Sequence, residues 1–166
     1  MRGSDEMIGL KEPSLSLEQL ADVVQLGPNQ IREWIERGSF RPSVPSPGRS
    51  REFTLEDAVV LLAAARLIGG GMTAAAALTH AHAARGWQPG QRLVVAPERL
   101  AVDCGTERFS SWHAASRTYG GVMATKDIDS WIAFLAEVGM TNFDGLVIGS
   151  LDRLEDELRI TLHNAD

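Results

Sequence analysis

Gly27-Pro28 separates two short stretches of helical apolar spacing, and this break constrains the fold more than any other feature of the 166 residues. Before it, "SLEQLADVVQLG" sets Leu17, Leu20, Val23 and Val24 on one stripe, with Ser16 and Gln19 at the spacing of a capping box. After it, "NQIREWIERGSFRP" places Ile31, Trp34 and Ile35 on one face. Proline is accommodated as the first residue of a helix, because its missing N–H would be unpaired there anyway. The pattern predicts a helix that stops at Gly27 and a second from Pro28 to Arg37, ended by a left-handed cap at Gly38. The second helix needs a core for its apolar face. Its other faces carry Asn29, Gln30, Arg32, Glu33, Glu36 and Arg37, and amides and guanidinium groups are the side chains that read base edges and hold phosphates.

The segment that follows, "SFRPSVPSPGRSREFT", holds three prolines and a glycine in sixteen residues. Proline cannot donate to a sheet ladder, so at most two short strands around an exposed loop are expected. In "TLEDAVVLLAAARLIGG", Thr54 is a good N-cap with Asp57 three residues on, and Glu56 and Asp57 suit a helix N-terminus. Gly69 to Gly71 stop this helix, and Thr73 caps an alanine-rich one running to about Ala84. Two helices joined by a turn of a few residues are a helix-turn-helix, whose second helix enters the DNA major groove, and the arginine-bearing loop after it would be a wing along the backbone.

"QIREWIERGSFRP", "RSREFTLEDAVVLL" and "RLIGGGMTAAAAL", in this order, resemble the winged-helix domain of MerR-type transcription regulators over about Leu15 to Ala84. Arg32 stands where the family's helix arginine stands, and Gly38 and Pro42 keep the spacing after it. Arg51, Phe53 and Thr54 stand on the wing's Arg, Tyr and helix cap, and Met72 and Thr73 on the pair that opens the fourth helix. The resemblance implies binding of double-stranded DNA. The chain also departs from the pattern. The tandem aromatics are reduced to Glu33 and Trp34, and "ALTHAHAARGWQPG" does not lead into the long heptad helix that makes typical members dimers. Short winged-helix relatives include phage excisionases and the DNA-recognition part of small terminase subunits.

The net charge of −6 argues against a nucleic-acid partner, but its distribution softens the objection. Residues 1–89 hold nine Lys/Arg against ten Asp/Glu, whereas residues 90–166 hold seven against twelve. Between Pro28 and Glu52 five arginines face three glutamates, and a local basic surface matters most because attraction is screened beyond about 8–10 Å at ordinary salt. No run reaches the roughly 18 apolar residues a membrane helix needs. No signal segment opens the chain, so a cytoplasmic protein is expected. Cys104 alone allows no intramolecular disulfide and no thiolate-rich zinc site.

Each candidate has a plainer alternative. Arg32 either contacts phosphate or makes a surface ion pair worth under about 1 kcal/mol. Arg49 and Arg51 either track the DNA backbone or are solvated loop charges. Asn29 and Gln30, in the first turn of the second helix, either test bases or serve the helix start. Arg37 and Arg41 are further DNA-binding candidates. Trp34, Ile31, Phe40, Phe53, Leu15 and Leu20 read as core. His80 and His82 are two apart and so point to different faces of a helix, and no metal site is expected. Cys104 and His113 are a conceivable nucleophile and base, but no nucleophile elbow or oxyanion-hole motif accompanies them. No catalytic residue and no cofactor are expected.

"RGWQPGQR" changes the composition and marks the expected boundary. Beyond it, "RLVVAP", "FDGLVIGS" and "ELRITL" read as strands and "DIDSWIAFLAEVG" as a helix whose Trp131, Phe134, Leu135 and Val138 face a core. Residues 103–121 are ambiguous. The expected organisation is a flexible arm (1–14), a mainly α winged helix-turn-helix domain (15–84), a linker (85–91) and a small α+β accessory domain (92–166). The expected function is sequence-specific DNA binding in transcription control. Its partners would be duplex DNA, a second copy held through the C-terminal half as a dimer, and a transcription-machinery or phage protein. The alternatives are a phage-type excisionase or small-terminase-like accessory, and a protein-interaction module whose winged helix does not bind DNA.

Overall fold

The computed structural model describes residues 14–44, 51–139 and 144–164. The expected arm lies almost wholly outside the described residues, as do Arg49 and the tip of the expected wing.

Helix α1 (Leu17–Val24) opens with the expected capping box, in which the Ser16 hydroxyl accepts from the Gln19 N–H and the Gln19 side chain accepts from the Ser16 N–H. Its stop is made by Gln25, left-handed at φ 56°. Helix α2 (Pro28–Glu36) starts with Pro28 in its first turn, buries Ile31 and Trp34, and ends before Gly38 at φ +72°. Helix α1 packs on α2 and on α3 (Leu55–Gly69), and α3 is apolar nearly all round. A helix of that kind has to be buried, and Ala58, Val59, Val60, Leu61 and Ala64 are fully enclosed. Helix α4 (Ala74–Ala81), capped by Thr73, continues into a short 3-10 turn at His82–Ala84.

The second half is built on a four-stranded antiparallel sheet ordered β2-β3-β1-β4. Strand β1 (Gln91–Pro97) is central and pairs with β3 (Thr118–Ala124) and β4 (Val147–Ser150), while β2 (Ser111–His113) extends β3. The unbroken apolar run in β1 follows from its place between two layers. Leu93 and Val95 join the core made by α1, α3 and α4, whereas Val94 and Ala96 face α5 (Glu98–Cys104) and α6 (Thr125–Glu137). One core therefore runs from α1 through β1 to α7 (Leu151–His163), and a smaller one lies on the far side of the sheet.

Two expectations need correction. "ELRITL" is helix, not strand. Leu151, Leu154, Leu158 and Leu162 recur at three- and four-residue intervals and pack on the main core, and Ser150 caps the start by accepting from the Arg153 N–H. The β-branched Ile160 that favoured a strand is 62% exposed. On α6 the stripe has a different phase: Ile128, Trp131 and Leu135 are buried, while Phe134 and Val138 are 46% and 54% exposed. The returning arm of the expected wing meets the residues before α1. Among the described residues it makes one antiparallel bridge, Phe53 with Leu15, whose N–H groups and carbonyls exchange bonds of 2.9 Å. The ambiguous stretch contains the end of α5, a 3-10 turn, β2 and the first part of β3.

Candidate nucleic-acid interface

Ile31 and Trp34 anchor α2 to the core, and this sets which of its side chains reach solvent. Asn29, Gln30, Arg32, Glu33, Glu36 and Arg37 are all exposed. Arg32 Nη1 donates to Asn29 Oδ1 at 2.6 Å, so the amide and the guanidinium at the head of the helix form one preset unit. Arg37 pairs with Glu33 one turn back at 2.5 Å. Both members of that pair are largely exposed, so it contributes little to stability and is readily exchanged for another partner. The α2 N-cap, Gly27, supplies no side-chain bond to the first turn. Backbone N–H groups at such a helix start suit an anion.

Arg41 and Arg51 are exposed on the two flanks of the wing. Those flanks are joined by a buried carboxylate. Asp57, with no exposed surface, accepts from both the N–H and the hydroxyl of Ser43 at 2.9 Å through Oδ1, and from the Thr54 N–H at 3.0 Å through Oδ2. Thr54 returns a capping bond to the Asp57 N–H. Arg85 completes the cluster from beyond α4, with Nη2 2.9 Å from Asp57 Oδ1 and also donating to the Arg41 carbonyl. Its Nη1 donates to Ser43 Oγ at 2.6 Å and reaches Glu56 Oε2 at 3.4 Å. Burying a carboxylate is tolerable only with such complete pairing. The N–H of Gly86 adds a 2.6 Å bond to Glu56 Oε1.

His82 belongs to this cluster and His80 does not, since the two rings point apart as their spacing requires. His82 Nδ1 accepts from Arg85 Nε and its Nε2 donates to the Ser39 carbonyl at 3.2 Å. That pattern fits the neutral ring, and burial together with the Arg85 charge lowers its pKa. The ring also stacks on Phe40 at 5.7 Å. A cleft of about 660 Å³ opens between residues 38–43 and α4, with His82 and Arg85 in its wall.

His80 is fully enclosed between α4 and the β2–β3 hairpin. Its Nδ1 lies 2.8 Å from Ser111 Oγ and its Nε2 2.7 Å from Thr118 Oγ1. Ser111 donates onward to the Gly120 carbonyl, so its oxygen accepts from Nδ1–H and Thr118 donates to Nε2. Burial, with a smaller contribution from nearby His113, lowers the His80 pKa to about 4. Gly120 is required at this contact because a Cβ there would lie 2.5 Å from the imidazole. His113 sits edge-on to this ring. Cys104 packs in the core on the other face of the sheet, where burial pushes its thiol up, and the two are not brought together. Among the described residues no group of three or more His, Cys, Asp or Glu side chains is arranged to hold a metal. No described helix is long and apolar enough to cross a membrane.

Sequence reasoning placed Asn29, Gln30, Arg32 and Arg37 on one helix and Arg41 and Arg51 beside it. It missed Arg85, Ser43 and the linking role of Asp57. Asp57 was visible only as a capping residue, and the Gly-Trp and Pro-Gly after Arg85 made it look like part of a boundary. No local spacing connects residues 43, 57 and 85.

A family model described as "MerR HTH family regulatory protein" matches residues 15–80. No curated protein matches the chain.

Proposed function

Because residues 15–80 form a MerR-type helix-turn-helix domain, we propose that this protein binds specific sequences of double-stranded DNA and regulates transcription from the cytoplasm. The observation that carries the reading is the division of α2. Ile31 and Trp34 fix it in the core, while Asn29, Gln30, Arg32 and Arg37 are exposed along the outside. In this reading α2 enters the major groove, Asn29 and Gln30 test bases, and Arg32, Arg37, Arg41 and Arg51 hold phosphates. The proposal assigns no catalysis and no cofactor.

Residues 15–84 are the DNA-reading unit and residues 92–166 the accessory unit, which holds a second copy. Two observations support that dimer. Strands β2 and β4 are the outer strands of the sheet, and α6 exposes Phe134 and Val138. The test is selection of bound duplexes from a random pool at about physiological salt. Enrichment of an inverted repeat, with half-sites about one helical turn apart, is the expected result. Enriched direct repeats would favour head-to-tail loading and the packaging or recombination role. No enrichment would remove the regulator reading and favour a protein partner, for which the acidic second half is the support.

A further inference from the structure

We infer that Arg85, which lies outside the helix-turn-helix and spends its N–H groups within the protein, is the positioning residue that sets the base of the wing. The inference rests on the DNA-binding reading for its consequence and on geometry for its substance. In the described residues the two flanks of the wing, Ser43 and Thr54, have no strand pairing with each other; the Asp57 carboxylate joins them at 2.9–3.0 Å, and their hydroxyls meet directly only at 3.4 Å. A carboxylate with no exposed surface needs a cation, and among the described residues Arg85 is the one that reaches it.

The guanidinium is also fully committed. Nε donates to His82, Nη1 serves Ser43 and Glu56, and Nη2 serves Asp57 and the Arg41 carbonyl. Five N–H groups are all that arginine has, so none is left for a phosphate. Its planar fork is what allows one side chain to bind Arg41, Ser43 and Asp57 at once, and a lysine ammonium lacks that geometry. Phe40 closes the arrangement from below, with the Arg85 guanidinium carbon 5.8 Å from its ring centre. Arg85 thus fixes the backbone of Arg41 and Ser43 just where the chain leaves α2 for the wing. Through Gly86, bonded to Glu56, and Gly90, whose N–H donates to Asp152 at 2.7 Å, the same segment is tied to the starts of α3 and α7.

The test compares Arg85→Gln, Arg85→Lys and the milder Ser43→Ala in the full chain, using amide exchange, thermal melting and binding to the selected duplex as a function of salt. Faster exchange of the Ser43 N–H is expected in both Arg85 variants at temperatures where they remain folded. A severalfold loss of affinity is expected, with the salt slope reduced by roughly one. In an Arg41→Ala/Arg51→Ala background the Arg85 substitutions should cost no further affinity, because the residues they position are gone. An additive loss in that background, or unchanged exchange at Ser43, overturns the inference. If Arg85→Gln fails to fold, Ser43→Ala carries the same comparison. Faster Ser43 exchange in a protein whose wild type binds no duplex would sustain the clamp while refuting its role in DNA binding, and so separates the two failures.

Discussion

Asp57 and Arg85 meet at 2.9 Å in the base of the wing, 28 residues apart in the chain, and the carboxylate has no surface in contact with water. Removing one partner of a buried pair costs roughly 3–5 kcal/mol because the other charge is left uncompensated. Asp57→Ala should therefore lower stability by about that amount in denaturant titration. Replacing the exposed Arg37, whose ion pair with Glu33 lies in solvent, should change it by less than about 1 kcal/mol. Equal effects at the two positions would mean that the cluster is not the anchor described above.

Asn29 and Arg51 separate sequence reading from attraction. Asn29→Ala should relax base preference at one position in the selected site, and unchanged preference would reduce Asn29 to a local partner of Arg32. Arg51→Ala should weaken binding to all duplexes alike and lower the salt slope by roughly one, which a titration between low and physiological salt would read.

The pH dependence of stability follows from His80. Its pKa is about 4 in the folded chain against 6.5 for the free ring, so the unfolded state binds the proton first as pH falls. Stability from this residue is complete above pH 6.5, declines as pH drops towards 4, and levels off below it. The full loss approaches about 3 kcal/mol. His80→Gln should be destabilised at neutral pH, where a hydrogen bond is altered, yet should show a flatter curve over that interval. A curve parallel to wild type would refute the assignment.

Gly120 faces the same ring. Gly120→Ala would place a carbon within 2.5 Å of His80 Nδ1 and 2.7 Å of Ser111 Oγ, and overpacking of this kind costs typically about 1–3 kcal/mol. Thermal melting should show a clear loss. By contrast, Ile160→Thr, on the exposed face of α7, should stay within about 0.5 kcal/mol of wild type.

The helical half was legible because its signals are local. Capping pairs at Ser16/Gln19 and Thr54/Asp57, Pro28 at a helix start and Gly38 at a helix end each lie within four residues of what they control. The second half was read less well where context overrode local preference. Ile160 and Thr161 suggested a strand, but the leucines at 151, 154, 158 and 162 met a core already shaped by α1 and α3. On α6 the apolar residues exceed what one face can bury, so sequence did not reveal that Ile128 rather than Phe134 faces inward. The Asp57–Arg85 pairing was invisible for a plainer reason. A contact across 28 residues is set by how α3 and α4 pack, and nothing adjacent to either residue encodes it.

The main core also fixes an order of events during synthesis. Leu151 and Leu158 of α7 close the same cluster that holds Leu20, Ile31 and Leu61, yet about 70 residues separate α4 from α7. At translation rates of about 5–20 residues per second, the helix-turn-helix is complete in sequence roughly 4–14 s before its covering helix exists. For that interval the outer side of α3 has only solvent or a chaperone to meet. Nascent chains arrested between these two points should therefore be more readily cleaved by protease within α3 than chains extended past His163.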